Sequence, residues 1–303
     1  MNNVYTLANG IKIPQICFGG GIVHTYRHVD ESGIDFIKYK IRTLIKNRKQ
    51  YELDTNFRKS VHVAMDNGLN FFDTSRAYLD AERELGESLK KYNREDYFIA
   101  TKLCNRDQYK GNIRKAMEKS LTEIGVDYVD LYLMHWPVED IWIDNWKEIE
   151  NMYDEGLCRA IGVCNCNIHH LEELKIKANV YPMVNEFECH PLFTQDKLRQ
   201  YCKSNNIQVI AYTSTARMDE RLRKTVLVPI SKKYSKSIAQ IIMKWHLQIG
   251  NIPIFNSCNP EHIKSNILIN DFELTKDEIE QINKININSR LRYDPDNCDF
   301  TQL

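Results

Sequence analysis

Four residues of types suited to proton chemistry stand where short apolar runs stop. Asp73 follows Phe71-Phe72, Tyr78 comes five residues later, Lys102 follows Ile99-Ala100-Thr101, and His135 follows Leu131-Tyr132-Leu133-Met134. Tyr78 is the candidate acid. A free phenol has a pKa of about 10, too high for efficient proton donation and return at neutral pH. An ammonium at Lys102 would favour the phenolate and lower that value, and a carboxylate at Asp73 would keep the ammonium charged and in place. His135 would orient a carbonyl oxygen with one ring nitrogen. The chain shows no nucleophile–base pair for acyl transfer and no His/Asp/Glu cluster typical of a metal-dependent barrel, so no metal is expected. A carbonyl protonated while it is reduced suits the set, and that implies a hydride donor. Taken singly, each residue has an ordinary reading: Lys102 as a strand-end lysine, His135 before Trp136-Pro137 as a core histidine.

The elements that must position these groups follow from periodicity. Asn9-Gly10 between Tyr5–Ala8 and Ile11–Pro14 signals a hairpin, and Gln15–Gly19 reads as the first core strand. Then strands and helices alternate. The strands are Asn70–Asp73, Tyr97–Lys102, Val129–His135, Arg159–Val163, Met183–Glu186, Gln208–Tyr212 and Ile252–Phe255. The helices are Thr55–Asn67, Ala81–Lys91, Tyr109–Ile124, Ile141–Asp154, Ile168–Ala178, Gln195–Ser204, Leu222–Tyr234, Ser237–Ile249, Pro260–Ile269 and Lys276–Ile285. Eight βα units in about 250 residues predict one (β/α)8 TIM barrel over residues 1–303, with an N-terminal β-hairpin and an irregular C-terminal tail. An open doubly wound sheet is the rival, but it would carry a G-x-G-x-x-G turn that is absent here. In a barrel the site lies at the C-terminal strand ends, which here read Asp73, Lys102, His135, Asn165, Glu186, Tyr212 and Ser257.

The stretch Arg27–Tyr51 stands outside this alternation. Ile34, Ile37, Ile41, Leu44 and Ile45 fall at helical spacing among Lys38, Lys40, Arg42, Lys46, Arg48 and Lys49. This predicts an inserted basic amphipathic helix on the catalytic face, selecting an anionic substrate or a partner.

Bulk properties narrow the class. Lys+Arg and Asp+Glu both number 41, a balance that argues against broad nucleic-acid binding. No run is long and apolar enough for a membrane span, and no signal-peptide pattern opens the chain. The nine cysteines lack metal-type spacing and read as reduced, mostly buried, cytoplasmic thiols.

The motifs together resemble the aldo-keto reductase family. The resemblance rests on Phe72–Ser75 with Tyr78, Ala100–Lys102, Asp130–Pro137, Ile161–Asn165, Val184–Glu186 through Glu188 to His190-Pro191, Ala211-Tyr212, Lys233-Tyr234 through Ala239-Gln240, and Asn259–Glu261. It implies an oxidoreductase, usually a monomer, that reduces an aldehyde or ketone with NADPH. Asp73, Tyr78, Lys102 and His135 match the family's catalytic tetrad, and Trp136 and His24 fall to the substrate pocket. Tyr212 matches the ring stacked on the nicotinamide, Thr213 follows it in the cofactor site, and Asn165 matches a residue binding the carboxamide.

Three departures concern the cofactor. The family Ser beside Asn165 is Cys164, and the family Gln on the carboxamide is Glu186. The Lys-Ser and later Arg that grip the 2′-phosphate become Asn256, Ser257 and His262. The family's nearby Glu is Ser265, while Asn266 is kept. Lys264 is the cation available to compensate, and the weakened grip admits NADH. Two rival readings stay open: a nucleotide-binding regulatory or interaction barrel, and a lyase or isomerase that retains its cofactor.

Overall fold

The computed structural model describes residues 4–21 and 48–302, with side chains from 56 to 301 in its second part. His24 and the basic stretch up to residue 47 lie outside the described residues. Arg48 to Tyr51 open the helix Arg48–Asp66, which therefore begins before the expected Thr55.

Strands β1 (Val4–Thr6) and β2 (Lys12–Pro14) form an antiparallel hairpin, with Tyr5 opposite Ile13 and Gly10 at φ 87° in the turn. Asn9 Nδ2 donates to the carbonyl of Arg159, at the start of a barrel strand, so the hairpin docks on the barrel end away from the predicted site.

The remaining strands are β3 (Cys17–Gly19), β4 (Phe71–Asp73), β5 (Phe98–Leu103), β6 (Val129–Met134), β7 (Cys158–Cys164), β8 (Val184–Glu188), β9 (Gln208–Tyr212) and β10 (Ile252–Phe255). They close into a parallel barrel in the order β10-β3-β4-β5-β6-β7-β8-β9. A parallel barrel buries both faces of each strand, which is why these runs are nearly continuously apolar. β5 and β6 are buried at every position. The charged exception near the strand starts, Asp130, is satisfied: it accepts from Arg94 at 2.7 Å and from Arg159 at 2.9 Å.

Helices fill the outer layer and press Trp146, Trp245, Phe57 and Leu85 into the core. Two expected helices differ from the structure. Tyr109–Ile124 is instead Asn105–Tyr109 and Ile113–Ile124, broken at Gly111, whose φ of 63° no continuous helix accepts. Leu222–Tyr234 is a short 3₁₀ turn followed by Leu227–Tyr234, because Pro229 lacks the N–H that an interior helical turn needs. Among the described residues no helix is long and apolar enough to cross a membrane.

Candidate active site

The C-terminal strand ends open into a cavity of about 880 Å3. Asp73, Tyr78, His135, Trp136, Asn165, Glu186 and Tyr212 line its barrel end, and Thr213, Asn256, Ser257, His262, Ser265 and Asn266 line its extension. Lys102 and Cys164 are buried behind this lining. The sequence-predicted residues within the described part therefore converge on one region.

Lys102 is the electrostatic centre. Its ammonium has no exposed surface, so all three of its protons need protein acceptors. It donates to Asp73 Oδ1 and to the Thr74 carbonyl at 3.1 Å, and Glu186 Oε1 lies 3.4 Å away. Burial alone would lower its pKa, but the carboxyl groups of Asp73 and Glu186 outweigh that and hold it well above the usual lysine range. Strand pairing supplies this geometry: Asp73 lies opposite Ala100 in β5, two residues before Lys102 on the same face. Gly20 donates its N–H to the Asp73 carbonyl, and a Cβ there would stand 2.8 Å from that oxygen, so only glycine admits this approach.

Glu186 is a second carboxyl on the same lysine. Burial, then the charge of Asp73, pushes it up to about 8, against the pull of Lys102. Among the described residues no donor group reaches its Oε2, but the Asp73 and Glu186 carboxyls lie close enough to share a hydrogen bond when one of them is protonated. Asp73 is raised by burial as well, against the pull of Lys102. Burial raises both acids, and with one ammonium between them it favours a state in which one carboxylate balances Lys102 and the pair keeps one proton.

Tyr78 and His135 face this cluster from the cavity. The Lys102 ammonium lies 5.4 Å from the Tyr78 ring centroid, and the Tyr78 and His135 rings meet edge to face at 6.0 Å. Burial, then the Lys102 and Arg292 charges, lowers His135 to about 3, which leaves a neutral imidazole at physiological pH. Asn165 takes a φ of 60°, a left-handed conformation that Asn tolerates better than most residues. From there its Nδ2 donates to the His135 carbonyl at 3.0 Å, and its Oδ1 accepts from the Tyr212 hydroxyl at 2.6 Å. One amide thus fixes both the imidazole segment and the Tyr212 ring.

The far end of the cavity is built on β10 and the helix Pro260–Ile267. Asn259 caps that helix, accepting the Glu261 N–H at 2.9 Å, with Pro260 at the first helical position. Lys264 is off the lining and ion-paired to Glu261 at 3.0 Å.

Sequence reasoning missed Arg217, Arg292 and Tyr293, which also line the cavity. Arg217 sits in a run of left-handed residues, Ala216, Arg217 and Met218. No Gly or Asn there signals such a turn. The tail carrying Arg292 is latched by the fully buried Glu188, which accepts the N–H groups of Leu291 at 2.6 Å and Arg292 at 3.0 Å. Glu188 lay inside a recognised motif, but its tail partner is more than a hundred residues away and leaves no local signal.

Away from the cavity, His169, His170 and Asp296 cluster at the surface. His170 Nδ1 already accepts the Asn167 N–H at 3.0 Å, which occupies the one lone pair of a neutral imidazole.

Comparison with known proteins agrees with this geometry. The sequence profile of the Aldo/keto reductase family matches residues 46–287. A glyoxal reductase of Bacillus subtilis is 41% identical over 244 residues, covering 80% of this chain and 88% of the relative. A methylglyoxal reductase of Salmonella typhimurium is 39% identical over 242 residues, covering 78% and 87%. Among solved structures, a Bombyx mori aldo-keto reductase in complex with NADP superposes with a TM-score of 0.82 at 28% identity, covering 98% of this chain and 96% of that one.

Proposed function

The chain belongs to the aldo/keto reductase family and is an oxidoreductase that reduces aldehydes or ketones to alcohols, and we propose that it acts on short carbonyl compounds of the glyoxal and methylglyoxal type with Tyr78 as proton donor. The observation that supports this most is the buried Lys102–Asp73 pair set directly behind the Tyr78 ring.

A nicotinamide dinucleotide fits the residues present. Glu186, Asn165 and the braced Tyr212 ring, all on the cavity lining, suit the nicotinamide end, and the capped helix N-terminus at Pro260 suits a phosphate. When bound, the reduced nicotinamide supplies a hydride to the carbonyl carbon.

The chain's own residues do the rest. Neutral His135 donates one hydrogen bond to the substrate carbonyl oxygen and polarises it. Tyr78 gives its proton to that oxygen as negative charge develops there, and the alcohol results. The Lys102 ammonium favours the phenolate left behind, and Asp73 holds the ammonium in place. Trp136 and the tail residues Arg292 and Tyr293 close the substrate end, with Phe300 6.1 Å from the Trp136 ring.

NADPH is the cofactor on this reading, with a weaker hold on its 2′-phosphate than fixed Lys and Arg side chains would give. Asn256 and His262 stand there, and the exposed Arg217 is a cation on the same lining. The nine free thiols, seven of them buried, support a reducing, cytoplasmic setting.

The test is to follow NADPH oxidation by its absorbance with glyoxal, methylglyoxal and a panel of larger aldehydes and ketones. Turnover on the small dicarbonyls supports the proposal. Turnover confined to larger carbonyls overturns the substrate assignment.

A further inference from the structure

The substrate end of the cavity carries a cation that hydride and proton transfer leave unused. Residues 291–300 run from the β8 end to the β5 end of the barrel mouth as a strap held at both sides. On one side the fully buried Glu188, at the end of β8, accepts the N–H groups of Leu291 and Arg292 and pairs with His190 at 2.9 Å. On the other, Asn105, just after β5, donates to the Phe300 carbonyl at 3.1 Å, and the Phe300 ring lies beside Trp136. Between these points Arg292 and Tyr293 face the cavity.

Arg292 is half-buried, and its charge is felt inside the site: it acts against protonation of His135 and in favour of the Tyr212 phenolate. Among the described residues of the lining, the carboxyls are Asp73 and Glu186, and both lie against Lys102 at the barrel end. Asp294, the next acid along the strap, lies 3.6 Å from Arg290. The substrate end is therefore positive. A guanidinium offers five donors in a planar fork, so it can keep a contact within the protein and still grip a carboxylate with two parallel bonds. A phosphate is typically met by a cluster of arginines, whereas one fork matches one carboxylate.

Resting on the reading of this cavity as a carbonyl-reducing site, we propose that Arg292 is a specificity-determining residue that grips a carboxylate on the substrate, so that the preferred substrates are short aldehydes and ketones carrying an acid group. The carboxylate rests on the strap while the carbonyl at the other end of the molecule meets Tyr78 and His135. It takes no part in the chemistry: with NADPH as reductant the carbonyl carbon gains the hydride, the oxygen gains the Tyr78 proton, and a hydroxy acid results. Positive charge at the mouth also raises the local concentration of such anions.

The experiment compares each acid with a neutral partner of similar size: succinic semialdehyde with butanal, and meta- and para-formylbenzoate with their amides. The quantity read is the ratio of kcat/KM, acid over neutral, in the NADPH-loaded parent chain and in Arg292→Gln. A general loosening of the pocket acts on both members of a pair and cancels in the ratio. Methylglyoxal is the reference substrate.

The parent favours the acid by about tenfold or more in at least one pair, the worth of a charge-assisted grip, and Arg292→Gln loses that preference. Equal turnover of acid and neutral members by the parent in every pair, with methylglyoxal still reduced, overturns the proposal without recourse to a variant and leaves the reductase reading intact. A preference that survives Arg292→Gln also overturns it, because the anion is then held elsewhere. A stronger preference for glyceraldehyde phosphate, lost in Arg292→Gln, overturns the carboxylate assignment. A chain that reduces neither methylglyoxal nor any member of the pairs overturns the proposal and the reductase reading together. Calorimetry with NADP+ present gives a readout without turnover. The alcohol product of the favoured acid binds the parent about tenfold more tightly than the product of its neutral partner, and the two bind alike in Arg292→Gln; equal binding of the two by the parent overturns the proposal.

Discussion

Lys102 has two carboxyl neighbours, and that redundancy has a measurable consequence. Replacing Asp73 by Asn removes the negative charge that helps hold Glu186 protonated, so Glu186 ionises and takes over as counter-ion from 3.4 Å. The cost is one charge-assisted hydrogen bond, about 1.5–3 kcal/mol. Glu186→Gln in the parent chain exchanges a neutral acid for a neutral amide and costs about 1 kcal/mol or less. In the Asp73→Asn background the same change removes the last counter-ion of a fully buried ammonium. Breaking a buried pair in that way costs about 3–5 kcal/mol. The coupling energy between the two substitutions is therefore about 2–4 kcal/mol. Urea unfolding of the parent, both single variants and the double variant at neutral pH closes the cycle. Additivity within about 0.5 kcal/mol would refute the reasoning, because it would mean that Glu186 does not share the lysine.

Four further outcomes follow from the site and its surroundings. Glu186 has a folded-state value raised to about 8, so its contribution to stability is complete below its unfolded value and is lost as pH rises through about 8; Glu186→Gln should flatten that decline in urea midpoints. His135, lowered to about 3, behaves oppositely: its contribution is present above its unfolded value and is lost as pH falls towards about 3, so pH–rate profiles should show no His135 inflection between about pH 5 and 8. Arg217→Ala should weaken NADPH binding by about 10- to 100-fold, the worth of one charge-assisted phosphate contact, with unchanged affinity by fluorescence titration excluding that contact. Glu188→Gln keeps one accepting oxygen and sets its NH2 against one of the two N–H donors, Leu291 or Arg292, so it should cost about 1–3 kcal/mol in unfolding experiments and raise KM by loosening the tail.

Much of the barrel was legible because its strands are buried on both faces and bounded by turn residues. β9 and β10 fall at Gln208–Tyr212 and Ile252–Phe255 as the apolar runs indicate. The polar residues ending those runs were legible for the same reason, since each interrupts an otherwise apolar stretch. Boundaries failed where one residue overrides periodicity: Gly111 breaks a helix that the apolar spacing continues, and Pro229 delays one. Arg217 and the Glu188 latch were illegible for another reason. Each depends on a backbone turn or a long-range contact that side-chain pattern does not encode. The second carboxyl on Lys102 lay between these cases. Glu186 stood out as a departure from the family's Gln, but the lysine it shares with Asp73 emerges only when β4, β5 and β8 close into one barrel.

The central claim is that Tyr78 protonates a carbonyl while hydride is delivered to it. Single-turnover reduction of methylglyoxal by the NADPH-loaded parent chain and by Tyr78→Phe tests it most directly, with NADPH affinity measured on both proteins. The account predicts a rate lower by about 10²- to 10⁴-fold in Tyr78→Phe, as for loss of a general acid, with cofactor affinity unchanged. A variant that reduces the substrate at nearly the parental rate would contradict it.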